Sequence, residues 1–176
     1  MFLPKEVANV AITPDEIVSV IEESIEDAIS EQGEADLGVG GITVTGIVVE
    51  GIPRNIVLVG GSYLDDHIDI TISSRGEDVV LSEDMLDWLN HEVAKTIVHE
   101  GIHREQDKRG RFILQDNKMN HKEYLSSEIE LEAYGRADIK MDVTKYGSSV
   151  QLDEYEEIFG VESEEVRIVK QYAGVK

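Results

Sequence analysis

The 176-residue sequence contains no cysteine, so neither a disulfide bond nor a thiolate zinc site can form. Any metal site must therefore use His, Asp or Glu. Basic residues are also scarce, because 16 Lys and Arg stand against 37 Asp and Glu, and the formal net charge is -21. Phosphate backbones and anionic membranes are bound by clustered Lys and Arg. We therefore expect neither a nucleic-acid partner nor a membrane partner.

Long apolar runs and phosphate-binding loops are missing as well. No apolar segment approaches the roughly 20 residues of a membrane span, and the first ten residues lack the apolar core of a signal peptide. We therefore expect a cytoplasmic protein. The glycine-rich segments at 37–42 and 59–61 lack the Lys-Ser/Thr pair or the helix start that phosphate binding requires. The chain also has no serine or cysteine nucleophile elbow.

The composition nevertheless supports a folded core, since 41% of the residues are hydrophobic. The length suits one domain. We predict a single α+β domain over residues 1–176, with a core at about 13–143 and a helical C-terminal extension at 144–176. Its elements would be an N-terminal helix, a small twisted and mostly antiparallel sheet, a long motif-bearing helix, a second helix rich in glutamate, and a helical tail.

Local patterns give the expected boundaries of these elements. Thr13 and Glu16 form a capping box that predicts a helix ending near Gly33. Strands are predicted at 42–49, 55–59 and 66–72, and alternating Ile68, Ile70 and Ile72 indicate a half-buried strand near a sheet edge. A long helix is predicted from Ser82 to about Arg109. A loop at 111–121 and helices at 123–143, 153–159 and 163–172 would follow.

The long predicted helix carries the sequence His99-Glu100-Gly101-Ile102-His103, an HExxH motif. Residues four apart lie on one face of a helix, so the two imidazoles can converge on one Zn²⁺. Glu100 follows the first histidine and would reach the zinc-bound water rather than the metal. It would act as the general base and then deliver the proton to the leaving amine.

A catalytic zinc needs a third protein ligand, and the predicted helix at 123–143 offers two candidates. Glu130 shares a face with Ala133 and Ala137, small residues that would let this helix lie close to the motif helix. Glu132 lies on a different face, together with Arg136, and stays open as the alternative ligand.

HExxH followed by ExEAxxxA at 130–137 resembles the small gluzincin-type zinc metallopeptidases, above all the ImmA/IrrE-like and the short phage-type metallopeptidases. The resemblance covers roughly residues 68–141. It implies a zincin-like fold, Zn²⁺ as cofactor, Glu130 as the third ligand, and an edge strand that holds the substrate. The strand at 66–73 would fill that last role by β-augmentation. These families often place Asp or Asn four residues after the ligand glutamate, where this chain has Tyr134.

Three further residues are candidates for contacts around the zinc. The hydroxyl of Tyr134 could donate to a zinc ligand or to an oxyanion. His121 and Tyr124 follow the predicted loop and could stabilise the tetrahedral oxyanion.

The leading hypothesis is therefore a zinc-dependent peptidase that acts on a peptide or protein substrate. One alternative is a catalytically weak or inactive zincin-like assembly protein, for example a phage virion component, found in the virion or the host cytoplasm. A second is an acidic decoy that occupies a DNA-binding protein. The motif segment 91–111 has five basic and four acidic residues, so the negative charge lies elsewhere. That distribution weakens the decoy hypothesis and favours neutral or basic peptide substrates.

Overall fold

A computed structural model describes residues 1–32, 41–112 and 119–176, with the side chains of all of these except 28–32. It is a mixed α+β structure with small sheets, which confirms the predicted class. The chain divides into two compact units, Met1–Ile97 and Val98–Lys176. None of the helices in the described parts is long and apolar enough to cross a membrane.

The first unit begins with the predicted N-terminal helix α1 (Pro14–Gln32). Its capping box is formed, since the Thr13 amide donates to the Glu16 carboxylate (2.8 Å) and the Glu16 amide donates to the Thr13 hydroxyl (3.1 Å). Both contacts satisfy groups that a helix start would otherwise leave unpaired. The predicted apolar stripe is buried at Ile17, Ile21 and Ile25. Gly33, where the helix was expected to end, lies outside the described residues.

The sheet of the first unit contains β2 (Ile42–Val48), β3 (Leu58–Leu64) and β4 (His67–Ser74) in the order β2-β4-β3. β4 runs parallel to β2 and antiparallel to β3, so this sheet is mixed rather than mostly antiparallel. The predicted alternation in β4 is confirmed, because Ile68, Ile70 and Ile72 are buried. The predicted edge position is wrong. An alternating apolar pattern shows that one face of a strand is buried, but it does not show which strands pair with it on either side.

The central position of β4 also removes the role expected for it in substrate binding. β-Augmentation needs a strand with one unpaired edge, and both edges of β4 are hydrogen-bonded to neighbours. The strand predicted at 55–59 is shifted as well, because β3 extends through Gly60 and Gly61 to Leu64. It turns into β4 at Asp65 and Asp66, whose φ angles are 50° and 66°. Positive φ at both central residues is the geometry of a two-residue hairpin turn.

A second, two-stranded sheet pairs β1 (Ala11–Ile12) with β5 (Val79–Val80) in antiparallel fashion. The long helix α2 (Glu83–Lys108) then begins as predicted, and the Ser82 hydroxyl accepts from the Met85 amide at 3.3 Å. The helix ends before Gly110, whose φ of 67° suits a glycine at the end of a helix.

The second unit contains the last turns of α2 and a set of shorter helices. They are α3 (His121–Leu125), α4 (Glu128–Tyr134), a π-helical segment (Gly135–Ile139), α5 (Lys140–Tyr146), α6 (Val150–Phe159) and α7 (Glu164–Ala173). The predicted helices near 153–159 and 163–172 are confirmed as α6 and α7. The buried core of this unit is formed by Leu125, Leu131, Ile139, Tyr155, Val166 and Val169.

Two boundaries in the second unit differ from the predictions. The helix expected at 123–143 is interrupted at Ser127, whose extended backbone (ψ 143°) separates α3 from α4. Ser is a common residue at such N-cap positions because its side chain competes with helical hydrogen bonds. The loop predicted at 111–121 ends one residue early, since His121 begins α3 after an Asn120 capping box. Residues 113–118 of that loop lie outside the described residues.

Candidate metal centre

Three donor side chains of the HExxH and glutamate helices meet inside the second unit. His99 and His103 lie one turn apart near the end of α2, and Glu130 lies in the first turn of α4. All three are buried, and one donor atom from each lies within 4.8 Å of the others. The structure therefore brings together the three residues that the sequence singled out as metal ligands.

The distances between the donor atoms suit a small divalent cation. His99 Nε2 and His103 Nε2 are 3.2 Å apart. One carboxylate oxygen of Glu130 lies 3.4 Å from His99 Nε2, and the other oxygen lies 3.4 Å from His103 Nε2. Tetrahedral ligands at about 2.0–2.1 Å from Zn²⁺ are separated from one another by roughly 3.3–3.4 Å. Two imidazoles and one carboxylate at this spacing fit zinc without rearrangement of the helices.

The second nitrogen of His99 is held by an aspartate that the sequence reading missed. His99 Nδ1 lies 3.2 Å from Asp138 Oδ1, and both residues are buried. A carboxylate acceptor at Nδ1 fixes the ring orientation and directs Nε2 toward the metal position, as in many zinc sites. Asp138 follows Glu130 by eight residues, whereas the resembling families led us to look four residues on, at Tyr134.

The π-helical segment explains how a residue eight positions on can share the face of Glu130. In a regular α-helix eight residues turn through about 800°, which is about 80° more than two full turns. A π turn bonds residue i to i+5 and holds more residues per turn, so each residue rotates the chain less. The segment Gly135–Ile139 takes up this excess and brings Asp138 under His99. Such turns recur at functional sites.

The second nitrogen of His103 is held by a different side chain. His103 Nδ1 lies 2.9 Å from Gln106 Oε1, and the amide nitrogen of Gln106 donates to Glu132 and to the Ile129 carbonyl. Glu132, the alternative ligand from the sequence, therefore points away from the three donor atoms. Its carboxylate accepts hydrogen bonds from Arg136 (2.8 Å) and from Arg111 (3.1 Å). Its place two residues after Glu130 puts it on another side of α4.

The charges of the cluster stabilise a cation where the donor atoms meet. Burial by itself would lower the pKa of His99, but the hydrogen bonds to Asp138 and Glu130 outweigh burial and raise it to about 10. Burial by itself would raise the pKa of Glu130, yet His103 and His99 lower it to about 2. Burial raises the pKa of Glu100, more than the two histidines lower it. The carboxylates therefore favour positive charge on His99, and a bound divalent cation would meet the same environment.

The remaining candidates occupy different places. The hydroxyl of Tyr124 hydrogen-bonds to Glu130, and burial followed by the charge of that glutamate raises its pKa. The ring of Tyr134 packs edge-on against His99 at 4.7 Å between centroids. His121, by contrast, is exposed and pairs with Glu154 at 3.2 Å, because it lies at the outer start of α3. The structure thus places both tyrosines at the cluster and His121 away from it.

One of the two missed residues had a signal in the sequence. Gln106 lies three residues after His103, one turn on along the same helix, where a side chain can reach its neighbour. Asp138 had no comparable signal, because the π turn that aligns it is not marked by any residue pattern. The small residues Ala133 and Ala137 do pack with Ile102, as expected for two closely packed helices.

Comparison with known proteins adds no family assignment. No protein-family model matches the chain, and neither the curated proteins nor the solved structures include a significant match. The geometry of the cluster is therefore the observation that bears on function.

Proposed function

We propose that the protein is a zinc-dependent peptidase of the zincin-like class. His99, His103 and Glu130 would bind Zn²⁺, and Glu100 would serve as the general base. The observation that carries the proposal is the spacing of the three buried donor side chains: the two Nε2 atoms are 3.2 Å apart, and each lies 3.4 Å from a different oxygen of Glu130. Two histidines and one glutamate are the ligand set of several zinc peptidases. When bound, zinc would polarise the scissile carbonyl and make water a stronger nucleophile near neutral pH.

Glu100 has the properties that a general base of this reaction needs. It follows His99 directly in α2, is 7% exposed, and its pKa is raised by burial. A carboxyl with a raised pKa can take a proton from the attacking water and then donate it to the leaving amine. Each turnover returns Glu100 to its starting state, since the proton taken from water leaves with the amine. The net charge of -21 favours neutral or basic peptides as substrates.

The metal content of purified variants tests the site directly. After growth with zinc, we expect about one zinc per chain in the wild type and in Glu100→Gln, as measured by mass spectrometry. Glu130→Ala should lose the metal, whereas Glu132→Gln should retain it. Wild-type protein without any bound transition metal would refute the proposal.

Hydrolysis of a diverse peptide library tests the chemistry. We expect cleavage by the wild type and a loss of at least about a hundredfold in Glu100→Gln, because the general base is removed while the metal ligands stay in place. The thermal unfolding of the two proteins should be similar. Stoichiometric zinc without any cleavage would instead support the alternative of a zincin-like assembly protein that keeps the site without catalysis.

A further inference from the structure

The buried amide of Gln106 links the second histidine of the cluster to Glu132. Gln106 is 1% exposed. Its Oε1 lies 2.9 Å from His103 Nδ1, and its Nε2 donates to the Ile129 carbonyl (3.0 Å) and to Glu132 Oε2 (3.2 Å). All these residues belong to the second unit. The three contacts define a chain of hydrogen bonds that runs Glu132–Gln106–His103.

The acceptors at one end of this chain fix the orientation of the amide. A carboxamide has two N–H donors on nitrogen and only acceptor sites on oxygen. A backbone carbonyl and a carboxylate can only accept, so a flipped Gln106 would place its oxygen against two acceptors. The oxygen must therefore face His103, and His103 must donate from Nδ1. The other nitrogen, Nε2, faces Glu130 at 3.4 Å and is the atom that a bound metal ion would contact.

Glu132 is itself held in place on its other side. Arg136 Nη1 donates to one of its oxygens at 2.8 Å, and Arg111 Nη1 donates to the other at 3.1 Å. Arginine presents a planar set of donors that holds a carboxylate in one geometry. With Glu132 4% exposed, the carboxylate cannot turn away from Gln106 without breaking these contacts.

We propose that Gln106 and Glu132 are positioning residues that set the tautomer of His103. Glu132 orients the Gln106 amide, the amide accepts the Nδ1 hydrogen of His103, and Nε2 of His103 is thereby the nitrogen left for a metal ion. The effect on the metal rests on the proposed zinc site, whereas the effect on the tautomer does not. The second glutamate of the ExE sequence thus acts on the site through a neighbouring side chain instead of as a ligand.

The tautomer is measured on the metal-free full-length chain by long-range ¹H–¹⁵N NMR of the histidine rings. We expect a hydrogen on Nδ1 of His103 in the wild type, whether or not Nε2 also carries one. Gln106→Leu keeps a similar volume but removes the acceptor, so the Nε2–H form of His103 should become populated. An unchanged His103 spectrum in Gln106→Leu would overturn the proposal, whether or not the protein binds zinc.

Zinc affinity, measured by competition with a chelating dye, tests the consequence for the site. Loss of a hydrogen-bond partner behind a metal-bound histidine typically weakens binding by about 10–100-fold. We expect that range for Gln106→Leu and about tenfold for Glu132→Ala. Glu132→Gln keeps an acceptor for Gln106, so its zinc affinity should stay close to that of the wild type. If the site required only a negative charge at this position, Glu132→Gln would lose zinc affinity as well.

Glu128→Ala is the matched control for Glu132→Ala. Glu128 lies on the same helix and also binds Arg111, at 2.7 Å, but its side chain is exposed. We expect its zinc affinity within about twofold of the wild type. Equal losses in the two alanine variants would overturn the proposal.

Failure of the proposed function gives a different pattern from failure of this inference. If the wild type binds no zinc, the function is refuted and the His103 tautomer still decides the role of Gln106. If Gln106→Leu does not fold, the comparison of Glu132→Ala with Glu132→Gln, in both zinc affinity and His103 tautomer, decides it instead. Wild-type spectra and affinities in Glu132→Ala would then contradict the proposal.

Discussion

Gly135 begins the π-helical segment and lies directly beneath helix α7. A Cβ atom added there would lie 2.5 Å from the Cβ of Tyr172, 2.9 Å from the carbonyl oxygen of Val169 and 3.3 Å from its Cα. Two of these atoms belong to the α7 backbone, and the third is attached to it. No change of rotamer can relieve the overlap, so Gly135→Ala must shift either α7 or the π turn.

The expected cost follows from two opposing terms. Replacing glycine by alanine inside a helix normally gains up to about 1 kcal/mol. Forcing a methyl group into a closely packed contact costs about 1–3 kcal/mol, and contacts with backbone lie at the upper end. We therefore expect Gly135→Ala to lower the free energy of unfolding by about 2 kcal/mol. For a protein of this size that corresponds to a Tm lowered by about 4–8 °C.

Gly101, within the HExxH motif, provides the matched control. It is also a helical glycine, but among the described residues no atom lies within 4 Å of a Cβ added there, apart from its own helix backbone and chain neighbours. The same substitution should here keep the gain in helix propensity and raise the Tm by about 2–4 °C. The two variants therefore have the same chemical change and opposite expected signs.

Thermal unfolding of both variants by circular dichroism, in metal-free buffer, makes the comparison. Zinc affinity adds a second readout, since a shifted π turn would move Asp138 away from His99 and weaken binding in Gly135→Ala. A Gly135→Ala protein with a Tm equal to or above that of the wild type would refute the packing of α7 on this glycine.

Three further predictions concern other parts of the chain. Asp138→Ala should weaken zinc binding by about 10–100-fold in the dye competition, because the imidazole loses its orienting acceptor, and an unchanged affinity would contradict this role. Tyr155→Phe should lower the free energy of unfolding in urea by about 1–3 kcal/mol, because the buried hydroxyl donates to the Leu125 carbonyl at 3.0 Å; a neutral substitution would show that this carbonyl finds another donor. Hydrogen bonds from Thr13 lower the pKa of Glu16, so this pair stabilises the fold above the unfolded pKa of 4.5 and loses its effect as the pH falls through the lower folded value. The stability difference between wild type and Glu16→Gln in urea should therefore shrink from about pH 6 to about pH 3, and a constant difference would argue against the charged contact of Glu16 with Thr13.

Local patterns predicted the elements whose boundaries are set by neighbouring residues. The capping box of Thr13 and Glu16 placed the start of α1, and the alternation of Ile68, Ile70 and Ile72 gave the buried face of β4. The convergence of His99 and His103 also followed from sequence, because residues four apart share a helix face whatever surrounds them. In each case the residues that determine the feature lie within a single helical turn or a single strand.

Features that depend on distant pairing were not predictable in the same way. Nothing within 66–72 shows that β4 pairs with β2 on one side and β3 on the other. Gly60 and Gly61 suggest a break by composition, yet they continue β3 because pairing with β4 stabilises them there. The sequence could not decide which of Glu130 and Glu132 faces the histidines. That depends on the contacts of Glu132 with Arg136 and Gln106, which lie on two different helices.

The π-helical segment changes the spacing at which an orienting residue can follow Glu130. A turn that holds one residue more than an α turn behaves like a one-residue insertion within a continuous helix. An ungapped alignment would match Tyr134 to the Asp or Asn of the resembling families, although Asp138 makes the contact with the histidine. Deleting one residue from 135–139 and closing the segment as an α-helix would place Asp138 seven residues after Glu130, at about 700° and still close to two full turns. Searches by motif spacing should therefore accept an Asp eight residues after the candidate ligand glutamate as well as one four residues after it.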